Sequence, residues 1–346
     1  MRVSRLLASA AAIALCTLPL AACSATGGPE EDAGGAQSVP RSAEFPVTIE
    51  HAFGTTTIPE APERVASVAW ANHEVPLALG IVPVGMSKAT WGDDGGIDGV
   101  LPWVEGRLTE LDAETPVLFD ETDGIDFEAV ADTNPDVILA AYSGLSEEDY
   151  DTLSKIAPVV AYPETPWGTS VSDMIRLDAT ALGLEAEGEQ LVAELEDTVD
   201  ASLAAHPTLA DQKILFAFMN PSDLSKIGFY TVHDTRPGFL AGLGLPQPEV
   251  VETESARTEE FYLELSSDVA DRFADVDVFV TYGDPDGELA AQLQADPLLA
   301  QIPAIAEGRI AILEDSTPLA ASANPSPLSI GWGIDEYFGV LAAAAE

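Results

Sequence analysis

The sequence predicts an α/β protein of two Rossmann-like lobes, each built on a mainly parallel sheet and joined by one long helix. Three observations predict it. First, 185–205 contains no proline and a single glycine, Gly188, and is rich in Glu, Ala and Leu, which favour helix. Within and just before it, Leu184, Leu191, Leu195, Val199 and Leu203 recur at helical spacing and form one apolar stripe. Second, short apolar runs alternate with helical stretches on both sides of this segment, the pattern of parallel sheets. Third, Asp136 to Tyr142 and Asp277 to Tyr282 both run from Asp-Val through apolar residues to a Tyr. A diverged repeat would put Tyr142 and Tyr282 on opposing lips of one cleft; chance similarity of two buried strands explains the echo equally well.

Gly183 precedes the long helix and Pro207 stops it. About 21 helical residues span about 32 Å, the width of a small domain, so the segment reads as a strut. An ordinary surface helix of one large domain is the alternative. At 346 residues the chain is long enough for two domains. The expected organisation is a signal peptide at 1–22, a lipidated Cys and flexible tether at 23–44, an N-terminal lobe at 45–184, the bridge at 185–206 and a C-terminal lobe at 207–346.

Arg2 and Arg5, the apolar stretch Leu6 to Leu20 and the ending Leu20-Ala21-Ala22-Cys23 form a secretory leader. Its ending resembles the lipobox of bacterial lipoproteins, in which the Cys becomes the lipidated first residue; a plain leader with a chance Cys is the alternative. Cys16 would leave with the leader, which excludes a disulfide, thiol catalysis and Cys-ligated metal in the mature chain. Ser24 to Glu44 has almost nothing to bury and reads as a tether. No later segment is long and apolar enough to span a bilayer, so anchoring at Cys23 is the expected membrane contact.

Without Arg2 and Arg5, 59 acidic residues face 12 basic ones, a balance of −47. Phosphate binding needs a basic face, so nucleic acid is not an expected partner. The charge serves solubility.

In the first lobe, Phe45 to Ile58 reads as a hairpin around Gly54. Strands follow at Arg64 to Ala69, Gly80 to Met86, Pro116 to Phe119, Asp136 to Tyr142 and Pro158 to Tyr162, with helices reaching Leu79, at Asp126 to Asp132 and at Glu147 to Ile156. Ligands of such sheets sit beyond the carboxyl ends of the strands, near Trp70, Asn72, His73, Ser87, Trp91, Tyr142 and Ser143. In the second lobe, strands are expected at Lys213 to Met219, Gly228 to Val232, Glu260 to Leu265, Asp277 to Tyr282 and Arg309 to Leu313. Helices are expected at Arg236 to Leu243, near Asp268 to Phe273, and from about Pro327 to Ala345; the Ala323 to Pro327 loop should face the cleft.

No nucleophile sits in a recognisable catalytic setting, and His51, His73, His206 and His233 lack metal spacing such as H-E-x-x-H. No catalytic residue, cofactor or bare-metal site is expected. His51 and His206 read as structural or capping residues; His73 and His233 are the two placed to see a ligand.

His51-Ala52-Phe53-Gly54, Ile58-Pro59, Pro62-Glu63-Arg64-Val65 and Leu79-Gly80-Ile81-Val82-Pro83-Val84-Gly85 resemble the opening of iron–siderophore binding proteins of ABC importers. Phe127-Glu128-Ala129-Val130, Asn134-Pro135-Asp136-Val137-Ile138 and Leu153-Ser154-Lys155-Ile156-Ala157-Pro158-Val159 continue the likeness, which covers nearly all of the mature chain. Vitamin B12 and haem binders share much of this pattern. The resemblance implies two α/β lobes on one bridging helix, a monomer that is not an enzyme, a ferric siderophore as transported ligand and permease subunits of an ABC importer as partners. It also implies one docking carboxylate per lobe. Glu128 matches the first; in Leu265-Ser266-Ser267-Asp268, Asp268 stands where the family usually has Glu, and Glu264 is the neighbour that could substitute.

A siderophore already fills the iron's coordination sphere, so the protein needs only aromatic walls and a few donors. Trp70, Trp91, Tyr142, Trp167, Tyr230 and Tyr282 supply the walls, His73 a polar wall, and Arg236 a forked donor. Lys88, Lys226 and Arg236 are the only plausible nearby cations, too few for a strongly anionic tris-catecholate, so a neutral or cationic hydroxamate complex is expected. Haem, ligated by Tyr230 or His233, cobalamin, and an extracytoplasmic enzyme are the rival readings.

Overall fold

The computed structural model describes residues 44–94, 98–284 and 286–346. The leader, Cys23 and the tether as far as residue 43 lie outside the described residues. Among those described, no helix is long and apolar enough to cross a membrane.

A hairpin opens the fold: β1 (Val47–His51) pairs with β2 (Gly54–Ile58), and Ile49, His51, Thr56 and Ile58 turn to the buried side in the alternation a half-buried hairpin requires. The first-lobe sheet holds β3 (Val65–Ser67), β4 (Gly85–Ser87), β5 (Val117–Phe119), β6 (Val137–Ala140) and β7 (Val159–Ala161). Its order is β5-β4-β3-β6-β7 and every pairing is parallel. The central β3 and β6 are buried throughout, as strands covered on both faces must be. Gly80 to Val84, expected as strand, is mostly connection, and only its end joins β4.

The second lobe contains β8 (Ile214–Phe218), β9 (Lys226–Tyr230), β10 (Tyr262–Ser266), β11 (Val278–Gly283) and β12 (Ile310–Glu314), in the order β10-β9-β8-β11-β12. The sheet is mixed: β9 runs against β8 and β10, while β8, β11 and β12 are parallel. The short connection 219–225 forces the reversal between β8 and β9, since a parallel crossover needs a dozen or more residues.

The bridging helix occupies Glu185–Ala205, the bounds read from the sequence. Leu184 and Val192 belong to the first-lobe core with Ile175 and Leu182, while Val199 joins the second-lobe core with Phe338 and Leu341. Leu195 packs on both. One apolar stripe thus ties two cores to one stiff rod. Helices at Pro102–Glu110, Val171–Leu182, Glu249–Ser255 and Glu288–Ala295 complete the layers and were not anticipated. The terminal helix, Ser329–Ala344, lies within its expected span.

Candidate functional site

The carboxyl ends of the first-lobe strands carry the aromatics. Chain leaving β3 passes through left-handed backbone at Ala69 and Ala71, φ 60° and 63°, and this double turn presents Trp70. Asn72 does not reach the mouth: it is fully buried, donates to the Val68 and Tyr142 carbonyls at 2.8 Å, and accepts from the Tyr142 amide at 2.9 Å. It therefore clamps the β3 exit to the β6 exit. Beyond β7, Trp167 also sits at positive φ, 59°, with its indole against Gly144, where any Cβ would fall 2.3 Å from Nε1. Only glycine permits that approach.

Trp70, Trp91 and Trp167 from the first lobe face Asp234, Arg236, Phe261 and Asn324 from the second across a cleft of about 240 Å³. Tyr142 lies just behind this lining. Its ring meets Trp167 edge-on at 5.3 Å, and its hydroxyl lies 2.8 Å from Thr235 Oγ1 and 3.2 Å from Asn324 Nδ2. A first-lobe tyrosine is thereby hydrogen-bonded to two second-lobe side chains. Burial pushes its phenol above the ordinary value, so it acts as a neutral donor and acceptor. Trp91 crosses the gap as well: its ring stands edge-on to Tyr282 at 5.4 Å, and Nε1 donates to Asp315 at 3.2 Å.

Arg236 is built in with care. Asp234 caps the helix Thr235–Gly242 by accepting from the Arg236 amide at 2.9 Å, and its other oxygen accepts from Nη1 at 2.8 Å. Arg236 Nε donates to the Tyr282 hydroxyl at 2.9 Å, and the guanidinium lies 4.5 Å from the centre of the Tyr230 ring. Burial raises Asp234 above the usual carboxylate range although Arg236 opposes the shift, and burial pushes Tyr282 up to about 12. The cleft cation is consequently neutralised from within. Lys88 pairs with Asp120 at 3.7 Å, and Lys226 with Glu264 at 2.5 Å.

Of the eight side chains expected at a ligand, Trp70, Trp91, Trp167 and Arg236 line the cleft, and Tyr142, Tyr230 and Tyr282 back it. His73 does not line it. It is folded under Trp70 at the start of the helix Glu74–Ala78, beside a separate cavity of about 20 Å³, and burial lowers it to about 4. Phe261, Asp234 and Asn324 line the cleft, and of these only Asn324 was foreshadowed, by the loop Ala323 to Pro327. A larger cavity, about 560 Å³, shares only Asp234 with the cleft and contains no aromatic wall except Phe239 and His233. Among the described residues, no group of three or more His, Cys, Asp or Glu is placed to hold a metal.

This chain is 30% identical over 242 residues to the probable siderophore-binding lipoprotein YfiY of Bacillus subtilis, covering 68% of this chain and 69% of that one. It is 24% identical to the Iron(3+)-hydroxamate-binding protein YxeB of the same organism, over 70% of this chain and 68% of that one. Its fold matches crystalline Streptococcus pneumoniae PiaA in complex with ferrichrome with a TM-score of 0.82 and 47% identity, covering 86% of this chain and 98% of that one. The periplasmic binding protein model matches residues 65–317, most of both lobes and the whole bridge. The chain therefore belongs to the periplasmic binding protein family, whose members bind substrates for transport and are not enzymes.

Proposed function

We propose that this protein is the substrate-binding component of an ABC importer and captures a ferric hydroxamate siderophore in the aromatic cleft. The observation that carries the reading is the internal neutralisation of Arg236 by Asp234. A ferric ion held by three hydroxamates is neutral, whereas one held by three catecholates carries three negative charges. A cleft whose only lining cation among the described residues is already paired favours the first. Arg236 keeps donors free for chelating oxygens, and three indoles cover the apolar periphery. The ferrichrome complex of PiaA and the name of YxeB support the same ligand class. Haem is less suited. Tyr230 and His233 do not line the cleft: the Tyr230 ring lies beneath the guanidinium, and His233 Nε2 donates to the Ser255 carbonyl at 3.0 Å.

Ferrichrome titration should quench tryptophan emission, because the three indoles would border the ferric centre. Trp91→Ala and Tyr142→Ala should each weaken binding by about 1–3 kcal/mol, as truncation of buried anchors does. Tight binding of a tris-catecholate with no binding of hydroxamates would overturn the ligand class.

The anchor belongs to the same proposal: YfiY carries the name lipoprotein, and Cys23 follows a lipobox-like sequence. Mass spectrometry of the mature protein should find an acylated glyceryl group on Cys23 at its N-terminus. An unmodified Cys23, or cleavage elsewhere, refutes it. Permease docking is assigned to Glu128 and Asp268, each exposed in the first turn of its helix. Glu264 is held by Lys226 and is a poorer substitute than the sequence suggested.

A further inference from the structure

The larger cavity, about 560 Å³, lies where helices of both lobes meet the bridge. That is the size of a small-molecule pocket rather than a packing defect. Its floor is apolar: Ile175 comes from Val171–Leu182, Leu195 and Val199 from the bridge, Phe239 from Thr235–Gly242 and Ile330 from the terminal helix.

Its charged lining is one-sided. Glu196 and Asp200 lie four residues apart on the bridging helix, hence on one face, and both are exposed at the cavity edge. No hydrogen bond or ion pair holds either among the described residues. Arg176, whose field includes Glu196, is committed to Glu189 at 2.9 Å and Asp173 at 3.5 Å. Asp234, the third carboxylate of the lining, is taken by Arg236, and among the described residues no lysine or arginine lines the cavity.

We propose that this groove is a second ligand site, for amphipathic cations: an ammonium group carrying an aliphatic or aromatic body. The body would leave water for the apolar floor. The ammonium would stay at the wet edge between Glu196 and Asp200, much as a lysine keeps its head in water while burying its stem. An anion of the same shape would meet two unpaired carboxylates and be repelled. The site requires both halves, so neither a small hydrophilic amine nor a fatty acid satisfies it.

The test uses the purified protein with n-octylammonium, octanoate and ethylammonium, read by calorimetry and native mass spectrometry. Octylammonium should occupy one site at least about tenfold more tightly than either comparator. Gly242 lines the cavity, and a Cβ placed there meets nothing within 4 Å, so Gly242→Leu should intrude on the groove and remove octylammonium binding without adding a fluorophore. Glu196→Gln with Asp200→Asn, both on the solvent side, should weaken octylammonium about five- to tenfold. Ferrichrome quenching should be unchanged in both variants, which separates this site from the cleft. Equal affinity for octylammonium and octanoate, or for octylammonium and ethylammonium, would overturn the proposal. Undiminished octylammonium binding by the doubly neutralised variant would overturn it as well.

Discussion

Arg236→Leu is expected to abolish ferrichrome binding and to destabilise the fold at neutral pH by about 3–5 kcal/mol, the usual result of breaking a buried ion pair from one side. The two side chains are only 17% and 4% exposed, so the Asp234 carboxylate left behind would have little water to turn to. Tyr282 would also lose the donor to its hydroxyl. The loss should depend on pH with a definite sign. Burial already raises Asp234 in the folded protein, and Arg236 restrains that rise. Without the guanidinium the folded-state value climbs further above the unfolded value of about 3.9. The folded variant then holds a proton that the unfolded chain has released, so its stability falls as pH rises and is recovered on acidification. Urea unfolding at pH 5 and pH 8 should show a wider gap for Arg236→Leu than for the wild type. Adding Asp234→Asn should restore much of the stability at pH 8 but none of the ferrichrome binding. A single variant with the wild-type midpoint at pH 8 would mean that the pair does not hold the cleft together.

The bridge could be read from the sequence because its signal is local and long. Residues 185–205 offer no breaker, and the stripe Leu184, Leu195, Val199 repeats over enough turns to fix helical period. The cleft aromatics were legible for a different reason. A parallel sheet sends its strand ends to one edge, so Trp70, Trp91 and Trp167 could be assigned there without knowing any contact. His73 shows where that logic stops. It lies three residues after Trp70, yet left-handed turns at Ala69 and Ala71 fold it underneath, and alanine gives no sign of such a conformation. Glu74 is illegible for want of any local signal. It is buried because Trp103 Nε1 and the Leu328 amide donate to it at 2.7 and 2.8 Å, from positions far along the chain. Burial raises it to about 7 even so. Asp178 is harder still: fully buried, with neither carboxylate oxygen bonded, it is held well above the ordinary range by desolvation. Sequence pattern would put an aspartate on the wet face. The helix that carries it was not anticipated either, although its ends are marked: Ser170 caps it by accepting from the Asp173 amide, and Gly183 closes it in left-handed backbone at φ 73°. Phe261 joins Arg236 on the second-lobe wall of the cleft through the reversal of β9 against β10, a register no single segment encodes.

Charge reversal at both proposed docking carboxylates, Glu128→Arg with Asp268→Arg, should abolish siderophore uptake in cells while leaving the ferrichrome affinity of the purified protein unchanged. Glu128 stands in the first turn of Phe127–Asp132, exposed, with Asp126 rather than Glu128 accepting from the Ala129 amide as the cap. Its carboxylate is thus free of the helix it begins. Asp268 opens the short helix Ser267–Phe273, where its own amide donates to Ser266 Oγ at 3.3 Å and its carboxylate lies 3.2 Å from the same hydroxyl. The shorter, partly engaged side chain has less reach than a glutamate, so Asp268→Arg alone should impair uptake less than Glu128→Arg alone. Neither residue touches the cleft lining, and both lie on solvated surface where substitutions change stability by about 0.5 kcal/mol or less. Rim charges act chiefly on association rate and its salt dependence. Transport by wild-type protein should accordingly weaken as ionic strength rises, and the doubly reversed variant should fail at every salt concentration. Restored transport on supplying a permease with compensating acidic substitutions would identify the contact. Normal uptake by the double variant would remove the docking role from both residues and leave the cleft assignment standing.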